Sequence, residues 1–116
     1  MDANAFTKLV KESITYNQLE RYFLTDQGSL ELLEDHFTLR PDIDAIKEDM
    51  ASEGGLKLSH AQRRMLIVLV ALWDGRIADD VFSSGIGDLS KVIQSMDRNN
   101  RELFAELVVS YPGWGN

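Results

Sequence analysis

The sequence predicts an all-α protein, a single compact bundle of six or seven short helices around a buried central helix at about residues 59–73. Three observations carry this reading: helix-start signatures recur along the chain, Gly or Pro stands where most helical stretches should stop, and strand-like alternation is almost absent. The 116 residues are 44% hydrophobic and 27% charged, which suits one folded domain rather than a disordered chain. Residues 1–116 are therefore expected to be one domain, with 112–116 as a short C-terminal tail.

The elements follow in order. Asp2 is placed to cap a first helix whose face is Phe6, Leu9 and Val10. Thr15 and Gln18 have the spacing of a capping box, with Ile14 and Leu19 at the spacing of a hydrophobic staple. They predict a second helix that turns Leu19, Tyr22 and Phe23 inward and ends at Gly28. Ser29 then caps a third helix with Leu30, Leu33 and Phe37 on one face. Pro41 marks a boundary, because the residue before a proline avoids the helical region. A fourth helix carries Ile43, Ile46 and Met50 and stops at Gly54-Gly55.

Ser59 and Gln62 form a second capping box, opening the central helix. Its segment MLIVLVALW is apolar on every side, as an element covered all round should be. The cap and the length outweigh the β-branched Ile67, Val68 and Val70. Leu66, Leu69, Val70 and Trp73 are expected among the most buried side chains. After the Asp74-Gly75 turn, Ile77, Val81 and Phe82 point inward from one or two helical turns. Gly85 and Gly87 flank a loop, and Asp88 caps a helix with Leu89, Val92, Ile93 and Met96 on one face. Asn99 and Glu102 make a third capping box, starting a helix that buries Leu103, Phe104, Leu107, Val108 and Tyr111 until Pro112 and Gly113 end it.

The formal charge of -7 lies in one stretch. Residues 26–53 hold nine acids against Arg40 and Lys47, while the segments on either side are each neutral. Direct binding to nucleic acid, which needs a basic face, is not expected. The absence of cysteine excludes disulfides, thiolate zinc sites and cysteine nucleophiles. No cofactor is expected, and no metal is assigned. The first thirteen residues do not read as a secretory signal. The longest apolar run, Met65 to Trp73, is far short of the roughly 20 residues of a membrane helix. A protein without a membrane segment, cytoplasmic by default, is the expectation.

Motifs for chemistry are weak. Gly85-Ile86-Gly87 lacks the third glycine and the preceding strand of a dinucleotide fingerprint. The stretch from Asp97 opens like a calcium loop but has Glu102 where glycine is needed and Val108 in place of the bidentate carboxylate. Glu31, Glu34, Asp35 and His36 gather on the expected third helix, where Glu31 and Asp35 share a face. A metal there would need further carboxylates from the next helix. His60, Arg63 and Arg64 form a small basic patch at the start of the central helix, a weak anion site whose simplest use is to pair with the acidic stretch.

The reading that the charge favours is a small acidic, non-enzymatic module that docks a protein partner, a basic one, through residues 31–53. Its contact residues are Glu31, Glu34, Asp35, Asp42, Asp44, Glu48, Asp49 and Glu53, with Trp114 of the tail as an aromatic contact. One alternative is a nucleic-acid-mimicking inhibitor of a basic protein, its carboxylates spaced like phosphates. The other is a metal-assisted hydrolase using Glu31, Glu34, Asp35 and His36.

Overall fold

Helix dominates a computed structural model that describes residues 3–26, 28–83 and 87–115. Among these residues stand six α-helices: α1 (Ala3–Tyr16), α2 (Ile43–Ala51), α3 (His60–Trp73), α4 (Gly75–Phe82), α5 (Leu89–Gln94) and α6 (Arg98–Ser110). The all-α expectation needs one correction. Phe23–Thr25 (β1) and Leu39–Pro41 (β2) pair antiparallel, with Leu24 opposite Arg40. The cap expected from Asp2, and most of the loop expected at Gly85 and Gly87, lie outside the described residues.

The clearest departure is at the end of α1. No helix starts at Thr15; α1 runs through it to Tyr16. Gln18 then adopts a left-handed φ of 57°. The Leu19 N–H reaches back to the Ile14 carbonyl at 2.9 Å, and the Gln18 N–H to that of Thr15 at 3.2 Å. This is the Schellman pattern of a helix C-terminus, and its hydrophobic pair is Ile14 with Leu19, both fully buried. An N-terminal staple and a Schellman cap both place apolar residues five apart. Spacing therefore cannot say whether a helix begins or ends there.

The expected second and third helices are replaced by 3₁₀ turns at Glu20–Tyr22, Leu30–Leu32 and His36–Thr38. Ser29 makes no side-chain cap. The Lys11 ammonium, from α1, donates to the carbonyls of Glu31 (3.2 Å) and Leu33 (2.9 Å), taking over acceptors that a helix would have used internally. Leu33 is buried, whereas Phe37 is 56% exposed.

The sheet is narrow, and β2 is closed on its outer side. The Asp42 N–H to Tyr22 carbonyl bond fixes the ladder phase and turns the backbone groups of Leu39 and Pro41 away from β1. There the Leu39 N–H is taken by the His36 carbonyl and the Leu39 carbonyl by the Trp114 indole N–H at 2.9 Å, while Pro41 has no N–H. An edge with no free N–H among Leu39 and Pro41 is a poor template for another strand.

The later elements follow their local signals more closely. Ser59 and Gln62 form both bonds of the capping box, and Met65–Val70 is a continuous buried run. Helix α3 packs on α1, α4, α6 and β2, which accounts for a segment apolar on all sides. Leu66, Leu69 and Val70 are fully buried, but Trp73 is only partly so. Asp74 ends α3 and also caps α4, so α4 begins at Gly75. Asp88 caps α5 as expected, yet Leu89 and Ile93 face outward and only Val92 and Met96 reach the core. Helix α6 starts two residues early, capped by Asp97 instead of Asn99. Its Val108, expected inside, is 54% exposed.

Between α1 and α6 lies a polar contact with no sequence signature. The carboxamides of Asn17 and Asn100 exchange two hydrogen bonds of 2.8 Å, and both residues are buried. Gln62 closes the same corner by donating to the Asn17 carbonyl.

Candidate functional site

The acidic stretch divides into carboxylates that the fold uses and carboxylates that it leaves at the surface. Asp42 caps α2 by accepting from the Ala45 N–H, and Asp35 caps the His36–Thr38 turn by accepting from the Phe37 N–H. Asp26 pairs with Arg40 at 3.7 Å. Glu31, Glu34, Asp44, Glu48 and Glu53 are exposed. Glu53 lies beyond the end of α2, so it is not a helical neighbour of Asp49.

Asp49, offered by the sequence as a partner contact, is the most engaged of them. Arg21 approaches it with two donors, Nε at 2.7 Å and Nη2 at 2.9 Å, and the Tyr22 hydroxyl donates to it at 2.6 Å. The tie fastens the first 3₁₀ turn to α2. The hydrogen bonds from Arg21 and then Tyr22 hold the Asp49 carboxyl at about 2, below its ordinary 3.8. Burial first, and the carboxylate second, push the Tyr22 hydroxyl up. Because the folded value of Asp49 lies below the unfolded one, its stabilisation is present in full above about pH 4 and is lost as the pH falls through about 2. The Arg21 side chain is 65% exposed, so solvent screening keeps the effect modest. Wild type and Asp49→Asn should differ in acid-titration stability near neutral pH and converge below about pH 2. A difference that stays constant through that window would exclude the tie as its source.

His36 does not join its acidic neighbours. It is fully buried, with Nδ1 2.7 Å from the Thr7 hydroxyl and Nε2 3.0 Å from the Gly113 carbonyl. A carbonyl only accepts, so Nε2 donates to Gly113, while Nδ1 faces the Thr7 hydroxyl, which also lies 2.9 Å from the Ala3 carbonyl. Both nitrogens are spent on tying α1 to the C-terminal segment. Among the described residues no group of three His, Asp or Glu side chains is placed to hold a metal ion. The cluster required by the hydrolase reading is not assembled.

Trp114, the aromatic contact offered to a partner, is 5% exposed and serves its own chain. Its indole donates to Leu39 and meets the rings of Phe6 and His36 edge-on, at centroid distances of 6.1 and 6.3 Å. Gly115 lies so close to Trp73 that an added Cβ would fall within 3.0 Å of the indole and the Trp73 carbonyl.

The basic trio has other neighbours. Arg64 donates to the Ser95 hydroxyl at 3.1 Å, Arg63 lies over the Phe82 ring, and His60 is exposed at the start of α3. Among the described residues, the ion pairs of the acidic stretch come from Arg21 and Arg40.

A cleft of about 540 Å³ opens where the end of α1 faces β1 and the Leu30–Leu32 turn. Ile14, Phe23 and Leu39 are buried side chains in its lining, and the exposed Glu20 and Glu31 are its acidic lining residues. Sequence reasoning missed it because its walls come from four separate stretches of chain. No helix among the described residues is long and apolar enough to cross a membrane. Compared with known proteins, the chain matches no family model, no curated protein and no solved structure.

Proposed function

We propose that this chain is a small acidic interaction module, without enzymatic activity, that docks a basic protein through residues 31–53. One observation carries the proposal: Glu31, Glu34, Asp44, Glu48 and Glu53 are exposed, and among the described residues none is in an ion pair. Asp44 and Glu48 stand four apart on α2, an arrangement that costs roughly 0.2–0.5 kcal/mol in a helix and that folding alone does not favour. Leu32 and Phe37, 62% and 56% exposed, belong to the same stretch and offer the apolar contact that an interface adds to charge. Asp35, Asp42 and Asp49 contribute field while holding the surface in shape, and Trp114 is not part of it.

Replacing the five exposed acids by Gln or Asn should keep or raise the melting temperature. The wild-type chain should retain a basic protein from cell extract that salt releases and that the five-fold variant fails to retain. With that protein purified, most of the lost affinity should appear as slower association at low salt. Displacement of the complex by DNA or RNA would make the module a nucleic-acid mimic. Equal binding by wild type and variant would overturn the proposal.

A further inference from the structure

We propose that the cleft between the end of α1 and β1 is a binding site for a small organic cation with an apolar body, of the alkylammonium or alkylguanidinium class. Its volume of about 540 Å³ is that of a small-molecule site. Leu24, 41% exposed, and the partly buried Leu30 are the accessible apolar residues of its lining, over a floor of the buried Ile14, Phe23 and Leu39. An alkyl body leaves water by entering it. Glu20 and Glu31 come from two different 3₁₀ turns, and among the described residues that line the cleft there is no Lys, Arg or His to answer them. Neither carboxylate is in an ion pair among the described residues. Lys11 fixes the turn bearing Glu31 through backbone carbonyls, which leaves that carboxylate for a ligand. An apolar pocket edged by two unanswered carboxylates selects a cation over its neutral isostere and rejects an anion. The site shares only Glu31 and the buried Leu39 with the stretch proposed for docking, so either can fail without the other.

The test is a titration of the full ¹⁵N-labelled chain with hexylammonium, hexanol and hexanoate, read by amide shifts. Hexylammonium should give saturable shifts confined to residues around the cleft, with hexanol on the order of tenfold weaker and hexanoate without effect. The exposed pair Glu20→Gln and Glu31→Gln should bring hexylammonium down to the level of hexanol. Thr15→Phe, which fills the cleft from an exposed helical position, should abolish binding of both, and Asp44→Asn with Glu48→Gln should change nothing. Equal binding of all three probes, shifts scattered away from the cleft, or an unaffected Glu20/Glu31 variant would overturn the assignment. So would much tighter binding of the same cation as the lysine of a short Leu-Lys-Leu peptide, which would make the cleft a pocket for a polypeptide instead of a free ligand.

Discussion

Trp114→Ala is expected to lower the unfolding free energy by about 3–5 kcal/mol, the usual cost of removing a buried aromatic ring. The indole is 5% exposed, fills space between Phe6 and His36, and donates to the outward carbonyl of Leu39. Its loss therefore opens a cavity and strips the outer edge of β2. Trp114→Phe separates the two contributions, because the ring is largely kept while the Leu39 carbonyl is left unsatisfied at about 1–3 kcal/mol. Denaturant unfolding measures both. In a Trp73→Phe background the remaining tryptophan should emit as a buried indole. Emission like that of free indole, or a loss below about 1 kcal/mol for Trp114→Ala, would show that the tail does not dock.

The second large effect is expected at the buried carboxamides. Asn100→Ala leaves Asn17 with one donor bond, to the Ser13 carbonyl, and with its side-chain oxygen unanswered in a buried corner. The expected cost is about 1–3 kcal/mol, and Asn17→Ala should cost as much. Replacing both by leucine removes donors and acceptors together and should cost less than the sum of the single alanine variants. Strict additivity would mean that the two amides do not act as a pair.

These two contacts show why part of the molecule was legible in the sequence and part was not. The caps at Ser59 and Asp88 were readable because cap and capped N–H lie within three residues of each other. The buried run of α3 was readable because a segment apolar on all sides has few other places to go. The cap at Asp97 was missed in favour of Asn99, two residues on, since either side chain suits the role and only packing chose. Asn100, inside the motif read as a capping box, is needed against Asn17, 83 residues away in sequence.

The candidate site divides in the same way. Composition located the acidic stretch and its sign, and nothing in the fold moves those charges elsewhere. Which carboxylates remain available was settled by tertiary contacts: Arg21 and Tyr22 engage Asp49, and Arg40 engages Asp26. His36 sits among acids in sequence but is turned inward, because Thr7 and Gly113 offer it hydrogen-bond partners in the core.

By itself the sequence determined a predominantly helical chain, the buried central helix, the caps at Ser59 and Asp88 and the place of the negative charge. Each of these rests on interactions within about one helical turn or on composition, both of which a linear string records. The tertiary structure decided that the Ile14–Leu19 pair ends a helix instead of starting one. It also decided that residues 20–41 form turns and a small sheet, and that Trp114 belongs to the core. In each case the local signal allowed two outcomes, and contacts between residues far apart in the chain chose one.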